Sequence, residues 1–369
     1  MNIESKYPYW MALSHLPKWG NEKINQLIID ILVTKKLSFQ EFFALDEKDL
    51  KAKFRLSDNQ IADIQKVKSE LPNYSFLAEN LLEQGFQLIP INSKDYSETL
   101  KQNLKRKASP PLLYVKGNTK LLNEESIAIV GSRKASEISL EFTKTIAKQC
   151  AENYKVVVSG FAKGVDKMAL DATLEFNGHS IIVLPQGILT FGSGIKKYYK
   201  KIINGDVLIL STYHPKAPWS VGLAMNRNTF IYGLAKTIYV AESDTKGGTW
   251  NGVMSGLKKG RKIFIRKPDP NEKNANNMLI LQGAIPVDTF GNPIESIENN
   301  IEEKLKQILS KGHLTAKAIN ERLDIEIDQK NLQKLLSNLS FIDSKSAKRK
   351  TYYFLKDSIP AQPELFNQV

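Results

Sequence analysis

The chain has 369 residues, a formal net charge of +13 and a single cysteine, Cys150. This length accommodates two or three domains, whereas one cysteine excludes an internal disulfide and a cysteine metal cluster. The basic excess favours a polyanionic partner, nucleic acid before an acidic membrane surface. No apolar run approaches the roughly 18 residues of a membrane span and no signal peptide is apparent, so we expect a cytoplasmic protein without membrane contact.

Short helices are predicted for residues 1–72. A helix–turn–helix connection is expected at His15–Ile24, because helical apolar spacing resumes after it. A second connection is expected near Phe54–Ser57, which the same spacing follows. Beyond the helices, Gln87–Pro90 and Pro110–Asn118 predict two short strands, and their prolines favour positions at the edge of a sheet.

Three short apolar runs without polar alternation predict strands of a parallel sheet that is covered on both faces. Segments of helical length separate them, so the chain alternates between strand and helix and predicts a doubly wound α/β sheet. Gly178 is expected to stop the second helix. The strands are expected at Ile127–Val130, Lys155–Val158 and Ser180–Leu184, with a further strand at Val207–Ser211 and the helices at Ser139–Ala151 and Asp166–Phe176.

The turns after the first two of these strands carry small residues and cations. Ligands of such sheets bind beyond the carboxyl ends of the strands, and small residues let backbone N–H groups approach a phosphate at a helix N-terminus. Gly160 and Gly164 are therefore expected to serve phosphate approach, and Phe161 is a candidate for stacking on bases. The alternative is two tight turns with no ligand. The residues concerned are Gly131, Ser132 and Arg133 in the first turn, and Ser159, Gly160, Phe161, Lys163 and Gly164 in the second.

Several common sites do not fit the sequence. The first turn has one glycine and no acidic residue ends the second strand, so a dinucleotide site is a poor fit, and the sequence contains no P-loop motif. The four histidines lack metal-ligand spacing. Asp166 and Glu242 form a possible carboxylate pair, although Asp166 also suits a helix N-terminus. We expect no cofactor and no metal.

A basic stretch with two tyrosines lies before the strand at Val207–Ser211. Lys196, Lys197 and Tyr198 are candidates for contacting phosphates and stacking bases. The alternative is an exposed basic helix whose tyrosines pack on the protein.

The C-terminal part predicts a winged helix in residues 299–356. Helices are expected at Leu314–Ile319 and Asn331–Leu339, and a basic turn joins two short strands after them. Such a domain can read DNA or bind protein, and the sequence leaves both open. The tail 357–369 is expected to be disordered.

The segments IVGSR, SGFAKGVD and IVLPQG, in this order, resemble the DprA/Smf family of bacterial DNA-processing proteins. Arg227 and Asn228 match the first two residues of the family's Arg-Asn-Arg, and Thr229 replaces the third. Glu242 resembles the family's glutamate at a strand end. The turn Gly247, Gly248 and Thr249 resembles its Ser-Gly-Ser/Thr, whereas Arg266 and Lys267 stand where the family has Pro-Gly.

The resemblance implies an extended Rossmann-like core at 73–298, preceded by a small helical domain of helix–hairpin–helix or SAM type at 1–72 and followed by the winged helix. The helical domain would touch DNA or serve packing alone. The implied function is a protein without catalysis that binds and protects single-stranded DNA, forms homodimers and loads RecA recombinase during transformation or recombination. The implied DNA-binding residues are those of the two turns with Arg227 and Asn228, and further candidates are Lys196, Lys197, Tyr198, Glu242, Gly247, Gly248 and Thr249.

Two more possibilities follow from resemblance. The core is also similar to the lysine-decarboxylase-like nucleotide phosphoribohydrolases, which makes a nucleotide-binding or nucleotide-hydrolysing protein the alternative. Against it, Asn251 and Gly252 follow the glycine turn where those enzymes have acids. The tail resembles peptides that dock into the sliding clamp, through Gln362, Leu365 and Phe366, although so short a motif also arises by chance.

Overall fold

The computed structural model describes residues 6–294, 304–323, 329–339, 341–347 and 350–356. Within these ranges no helix combines the length and apolarity that crossing a membrane requires. The clamp-like residues Gln362, Leu365 and Phe366 lie outside the described residues.

The N-terminal part is a bundle of helices around an aromatic and aliphatic core. Both predicted helix connections are confirmed, one between α1 and α2 and one between α4 and α5. At the second, Arg55 ends α4 in the left-handed conformation and Ser57 opens α5 with a reciprocal cap to Gln60. The domain boundary expected at Pro72 falls inside α6. The helices are α1 (Tyr7–Ser14), α2 (Asn21–Ile29), α3 (Phe39–Ala44), α4 (Glu47–Phe54), α5 (Asp58–Ser69) and α6 (Leu71–Glu83), with a π-helical segment (Asp30–Thr34) after α2.

A nine-stranded sheet forms the centre of the protein, in the order β1-β2-β6-β5-β4-β3-β7-β8-β9. Neighbours from β6 to β9 are parallel, whereas β2 is antiparallel to both β1 and β6. The strands are β1 (Gln87–Pro90), β2 (Leu112–Gly117), β3 (Ser126–Val130), β4 (Val156–Ser159), β5 (Ser180–Val183), β6 (Val207–Ser211), β7 (Thr237–Val240), β8 (Ile263–Arg266) and β9 (Ile285–Val287).

The prediction of two edge strands is half confirmed. β1 lies at the edge of the sheet as predicted. The prediction is wrong for β2, because this strand pairs with a neighbour on both sides. Pro110 and Pro111 precede β2 and stay outside its ladder, so their missing N–H groups leave the pairing intact.

Helices cover both faces of the sheet, and every residue of β3, β4 and β5 is buried. The chain proceeds from β3 through β4 and β5 to β6 on one side, and then crosses to β7 on the other side of β3. This confirms the doubly wound fold. The covering helices are α7 (Glu98–Ala108), α8 (Glu137–Glu152), α9 (Val165–Glu175), α10 (Gly192–Lys197), α11 (Tyr199–Ile203), α12 (Val221–Leu234), α13 (Gly248–Lys258) and α14 (Asn276–Ile280).

The end of α9 differs in detail from the prediction. Asn177, rather than Gly178, takes the left-handed conformation, with φ of 56°. The N–H of Gly178 then donates to the carbonyl oxygen of Thr173 at 2.8 Å and closes the helix. Gly178 instead serves packing, because a Cβ there would stand 2.7 Å from the Cβ of Ala151 on α8.

The C-terminal part has its own apolar core, which includes Leu305, Ile319 and Leu336. Its described residues form helices and the antiparallel sheet β10-β12-β11, and the winged helix stays a prediction. Leu314 and Thr315, which the sequence placed in a helix, form a short strand against β12. The elements are residues 304–309 (α15), β10 (Leu314–Thr315), α16 (Ala316–Leu323), α17 (Gln329–Asn338), β11 (Ile342–Ala347) and β12 (Lys350–Leu355).

Candidate nucleic-acid interface

The two predicted turns touch each other at the carboxyl ends of β3 and β4. The N–H of Ser132 donates to the carbonyl oxygen of Glu242 at 2.9 Å, and the carbonyl oxygen of Ser132 accepts from the N–H of Val165 at 3.3 Å. Gly164 has φ of 77°, and a Cβ on it would stand 2.4 Å from the carbonyl oxygen of Ser132. The expectation that both turns share one edge is therefore confirmed, and Gly164 serves their contact.

Two cations project from these touching segments. The side chains of Arg133 and Lys163 are both exposed. Among the described residues, no carboxylate oxygen lies within 4.0 Å of either cationic group, whereas many other lysines of the chain are paired. Unpaired, solvated cations on one rigid edge attract a polyanion and release its counterions.

The backbone of the second turn is already occupied by a carboxylate of the chain itself. Burial raises the pKa of Asp166, while Arg227 and the backbone N–H groups of Ala162 and Gly160, which donate to its carboxylate, oppose that shift. The hydroxyl of Ser159 donates to the carbonyl oxygen of Asp166 at 3.0 Å. The N–H groups of Gly160 and Ala162 are therefore not free to bind a phosphate, and Ser159 is only 1% exposed. The expectation that these parts of the turn bind phosphate is wrong.

Arg227, which the sequence predicted as a phosphate ligand, lies inside the protein. It is 4% exposed, and its Nη1 donates to the carbonyl oxygens of Gly160 and, at 2.9 Å, Val183. Its Nη2 lies 3.8 Å from a carboxylate oxygen of Asp166. Arg227 thus joins the ends of β4 and β5 to α12, and the prediction that it contacts DNA is wrong.

Gly160 makes room for that arginine. A Cβ on Gly160 would stand 1.7 Å from Nη1 of Arg227 and 2.5 Å from a carboxylate oxygen of Asp166. The expectation that Gly160 serves a phosphate rather than packing is therefore wrong.

The two predicted stacking residues are packed against each other. The ring of Phe161 meets the ring of Phe191 edge-on at 5.0 Å and that of Tyr198 at 5.8 Å. The Tyr198 hydroxyl donates to Asp171 at 2.9 Å and accepts from Lys167 at 3.2 Å. Tyr198 is 6% exposed, so its prediction as a stacking platform is wrong. Lys196 and Lys197 on α10 remain exposed and stay predictions.

Glu242 organises the start of α8 instead of forming a pair with Asp166. Its carboxylate accepts from the N–H of Ser136 at 2.9 Å and from the hydroxyl of Ser139 at 2.8 Å. The same Ser139 hydroxyl accepts from Nη2 of Arg266 at 2.9 Å. Arg266 is 2% exposed and forms a forked ion pair with Glu272, which lowers the pKa of that carboxyl. Arg266, which stands where the family has Pro-Gly, is thus a buried residue that stabilises the fold through these contacts.

The glycine turn at 247–249 starts α13; Gly247 has φ of 99° with nothing within 4 Å of its Cβ position, whereas Gly248 and, one turn later, Gly252 face α12. A Cβ on Gly248 would stand 2.8 Å from Nδ2 of Asn228, and one on Gly252 would stand 2.9 Å from the Tyr232 hydroxyl. The spacing of Gly248, Gly252 and Gly256 is the signal that sequence reasoning missed, because residues four apart share a helix face. Asn228 and Gly248 thus lie at the contact between α12 and α13. Thr249 follows Gly248 on α13, and the acids that the hydrolase resemblance requires after this turn are missing.

The fold and this edge define a doubly wound α/β protein with exposed cations on two touching loops. The family model of the DNA recombination-mediator protein A matches residues 87–298. The DNA processing protein DprA of Streptococcus pneumoniae is 34% identical over 157 residues, which span 42% of this chain and 55% of that protein. DprA of Bacillus subtilis is 26% identical over 251 residues, which span 66% of this chain and 81% of that protein.

The fold agrees with these sequence matches. The match to the X-ray structure of DprA from Streptococcus pneumoniae covers 78% of this chain and 95% of that chain, with 27% sequence identity and a TM-score of 0.56. The chain belongs to the family of the DNA recombination-mediator protein A, the DprA/Smf family.

Proposed function

We propose that this protein binds and protects single-stranded DNA at the carboxyl edge of its sheet. The observation that carries the proposal is the pair of exposed, unpaired cations, Arg133 and Lys163, on loops that are locked together. The net charge of +13 and membership of a family of recombination mediators support a DNA partner. A single strand is proposed because recombinases assemble on single strands.

The same proposal includes finer steps. A protein that holds a strand at this edge would hand it to RecA recombinase, and a homodimer would hold two stretches of it. RecA loading is tested by the rate of filament growth on a strand coated with single-strand binding protein, with and without this protein. The clamp-binding tail, with Leu365 and Phe366 as its anchors, is tested by calorimetry of a peptide of residues 358–369 against purified clamp.

The DNA proposal is tested by fluorescence anisotropy with a labelled oligonucleotide, in single-stranded and duplex form. We expect tighter binding of the single strand. Arg133→Ala should weaken that binding roughly tenfold at low salt, since a charged hydrogen bond to phosphate is lost. The matched control is Lys236→Ala, because Lys236 is also exposed but precedes β7 at the opposite edge. Equal weakening by both variants would contradict a site at the carboxyl edge.

A further inference from the structure

Three apolar side chains are exposed where α12 begins. Trp219 is 51% exposed, Val221 67% and Met225 39%. Ser220 caps the helix by accepting from the N–H of Leu223 at 3.2 Å, so the patch sits on a structured segment. A cluster of this kind on a basic protein indicates a binding surface, since apolar area remains in contact with water. We call Trp219, Val221 and Met225 the α12 patch.

A chain of contacts connects the segment that carries the α12 patch to the loop that carries Lys163. The carbonyl oxygen of Ala217, two residues before Trp219, accepts from the N–H of Gly187 at 2.9 Å, just beyond the end of β5. Four residues later along that segment, Phe191 packs against Phe161 at 5.0 Å. Phe161 belongs to the same turn as Lys163. The patch and the exposed cation therefore lie on connected segments at the carboxyl edge of neighbouring strands.

Trp219 is available for stacking, in contrast to the two aromatic residues that the sequence singled out. Phe161 and Tyr198 direct their rings at each other and at Phe191, whereas half of the Trp219 surface meets solvent. Among the described residues, no ring contact or hydrogen bond involving the Trp219 side chain was found. An exposed indole on a fixed segment is a surface on which any base can stack, because every base has a π-face.

We propose that the α12 patch is the stacking platform for unpaired nucleobases of a strand whose phosphates contact Arg133 and Lys163. Trp219 supplies the ring, while Val221 and Met225 extend the apolar surface beneath neighbouring bases. This inference rests on the proposed function and identifies how the same edge distinguishes single strands from duplex. Bases in a duplex are already stacked and paired, so the platform favours the single strand. It predicts little preference among base types.

The experiment uses the intrinsic tryptophan fluorescence of the full chain during titration with an oligo-dT strand. The unaltered protein should lose fluorescence on binding, because a stacked base quenches the indole. Trp219→Phe should abolish most of that quenching while it keeps most of the affinity. Trp219→Ala should weaken binding roughly 5- to 150-fold, the range for loss of one aromatic stack, with an unchanged salt slope because no charge is removed.

Tyr154→Ala is the matched control, since Tyr154 is 86% exposed but precedes β4 at the opposite edge. It should leave affinity unchanged. Normal binding by Trp219→Ala, or full quenching in Trp219→Phe, would overturn the platform while leaving strand binding intact. Absence of strand binding by the unaltered protein would overturn both the platform and the proposed function.

Discussion

Two arginines that flank the same edge have opposite surroundings. Arg133 follows β3 and is exposed, whereas Arg227 on α12 is 4% exposed and donates to carbonyl oxygens of the strand ends. The sequence motifs predict that both arginines belong to one binding site. In the structure, however, one side chain is exposed to solvent and the other is buried and stabilises the fold. The comparison teaches that a cation near such a loop is available to a ligand only when it does not already donate to carbonyl oxygens of the protein.

The sharpest way to test this division is to remove the buried arginine. Arg227→Met should lower the free energy of unfolding by about 3–5 kcal/mol, because Asp166 is left buried without its partner. Arg133→Met should change it by less than about 0.5 kcal/mol. Urea unfolding of both variants measures the difference.

A double variant provides the control for that prediction. Arg227→Met combined with Asp166→Asn should regain part of the loss, since no unpaired carboxylate remains. Equal unfolding midpoints for Arg227→Met and Arg133→Met would show that Arg227 does not support the fold.

A smaller effect is expected from Gly160→Ala. The added Cβ would meet Nη1 of Arg227, so unfolding free energy should fall by about 2–3 kcal/mol. Gly192→Ala is the control, because nothing lies within 4 Å of the Cβ position there. In the Arg227→Met background the cost of Gly160→Ala should shrink. A cost that is the same in both backgrounds would rule out the guanidinium as its cause.

A third prediction extends the comparison to His15, a half-buried histidine that follows α1. Burial lowers the pKa of His15 to about 3, with His214 nearby adding to the shift, and His15 Nε2 lies 2.8 Å from the Tyr114 hydroxyl. The folded protein therefore leaves His15 neutral while the unfolded chain binds a proton below about pH 6.5. Stability from this group is present above that pH and is lost as the pH falls toward 3.

The size of this loss follows from proton linkage. Between pH 6.5 and 5 it should reach about 2 kcal/mol, measured as the difference in unfolding free energy between the unaltered protein and His15→Gln across pH. His313→Gln is the control, because His313 is exposed. Parallel pH profiles for the unaltered protein and His15→Gln would contradict a neutral His15 in the fold.

The parts of the fold that the sequence predicted well depend on local patterns. The continuous apolar runs of β3, β4 and β5 identify strands buried on both faces, and the small residues after them identify the loops at one edge. The helix connections near Arg55 follow from capping residues, which are also local. Family resemblance agreed with these patterns and supplied the order of domains.

The errors concern contacts between residues that are distant in sequence. Arg227 contacts Gly160 from 67 residues away, and Tyr198 contacts Asp171 from 27 residues away. Neither burial nor partner can be read from the neighbours of such a residue in the chain. The same holds for β2, whose second partner β6 follows long after it. Trp219 was missed because exposure of a single aromatic residue has no sequence signature.

The most direct test of the central claim is the salt dependence of single-strand binding in the variant Arg133→Ala/Lys163→Ala. The two exposed cations should each account for about 0.7 of the slope of log Kobs against log salt, so the double variant should lose about 1.4. Its unfolding midpoint should match that of the unaltered protein. An unchanged slope, with the fold intact, would contradict the assignment of this edge as the DNA site.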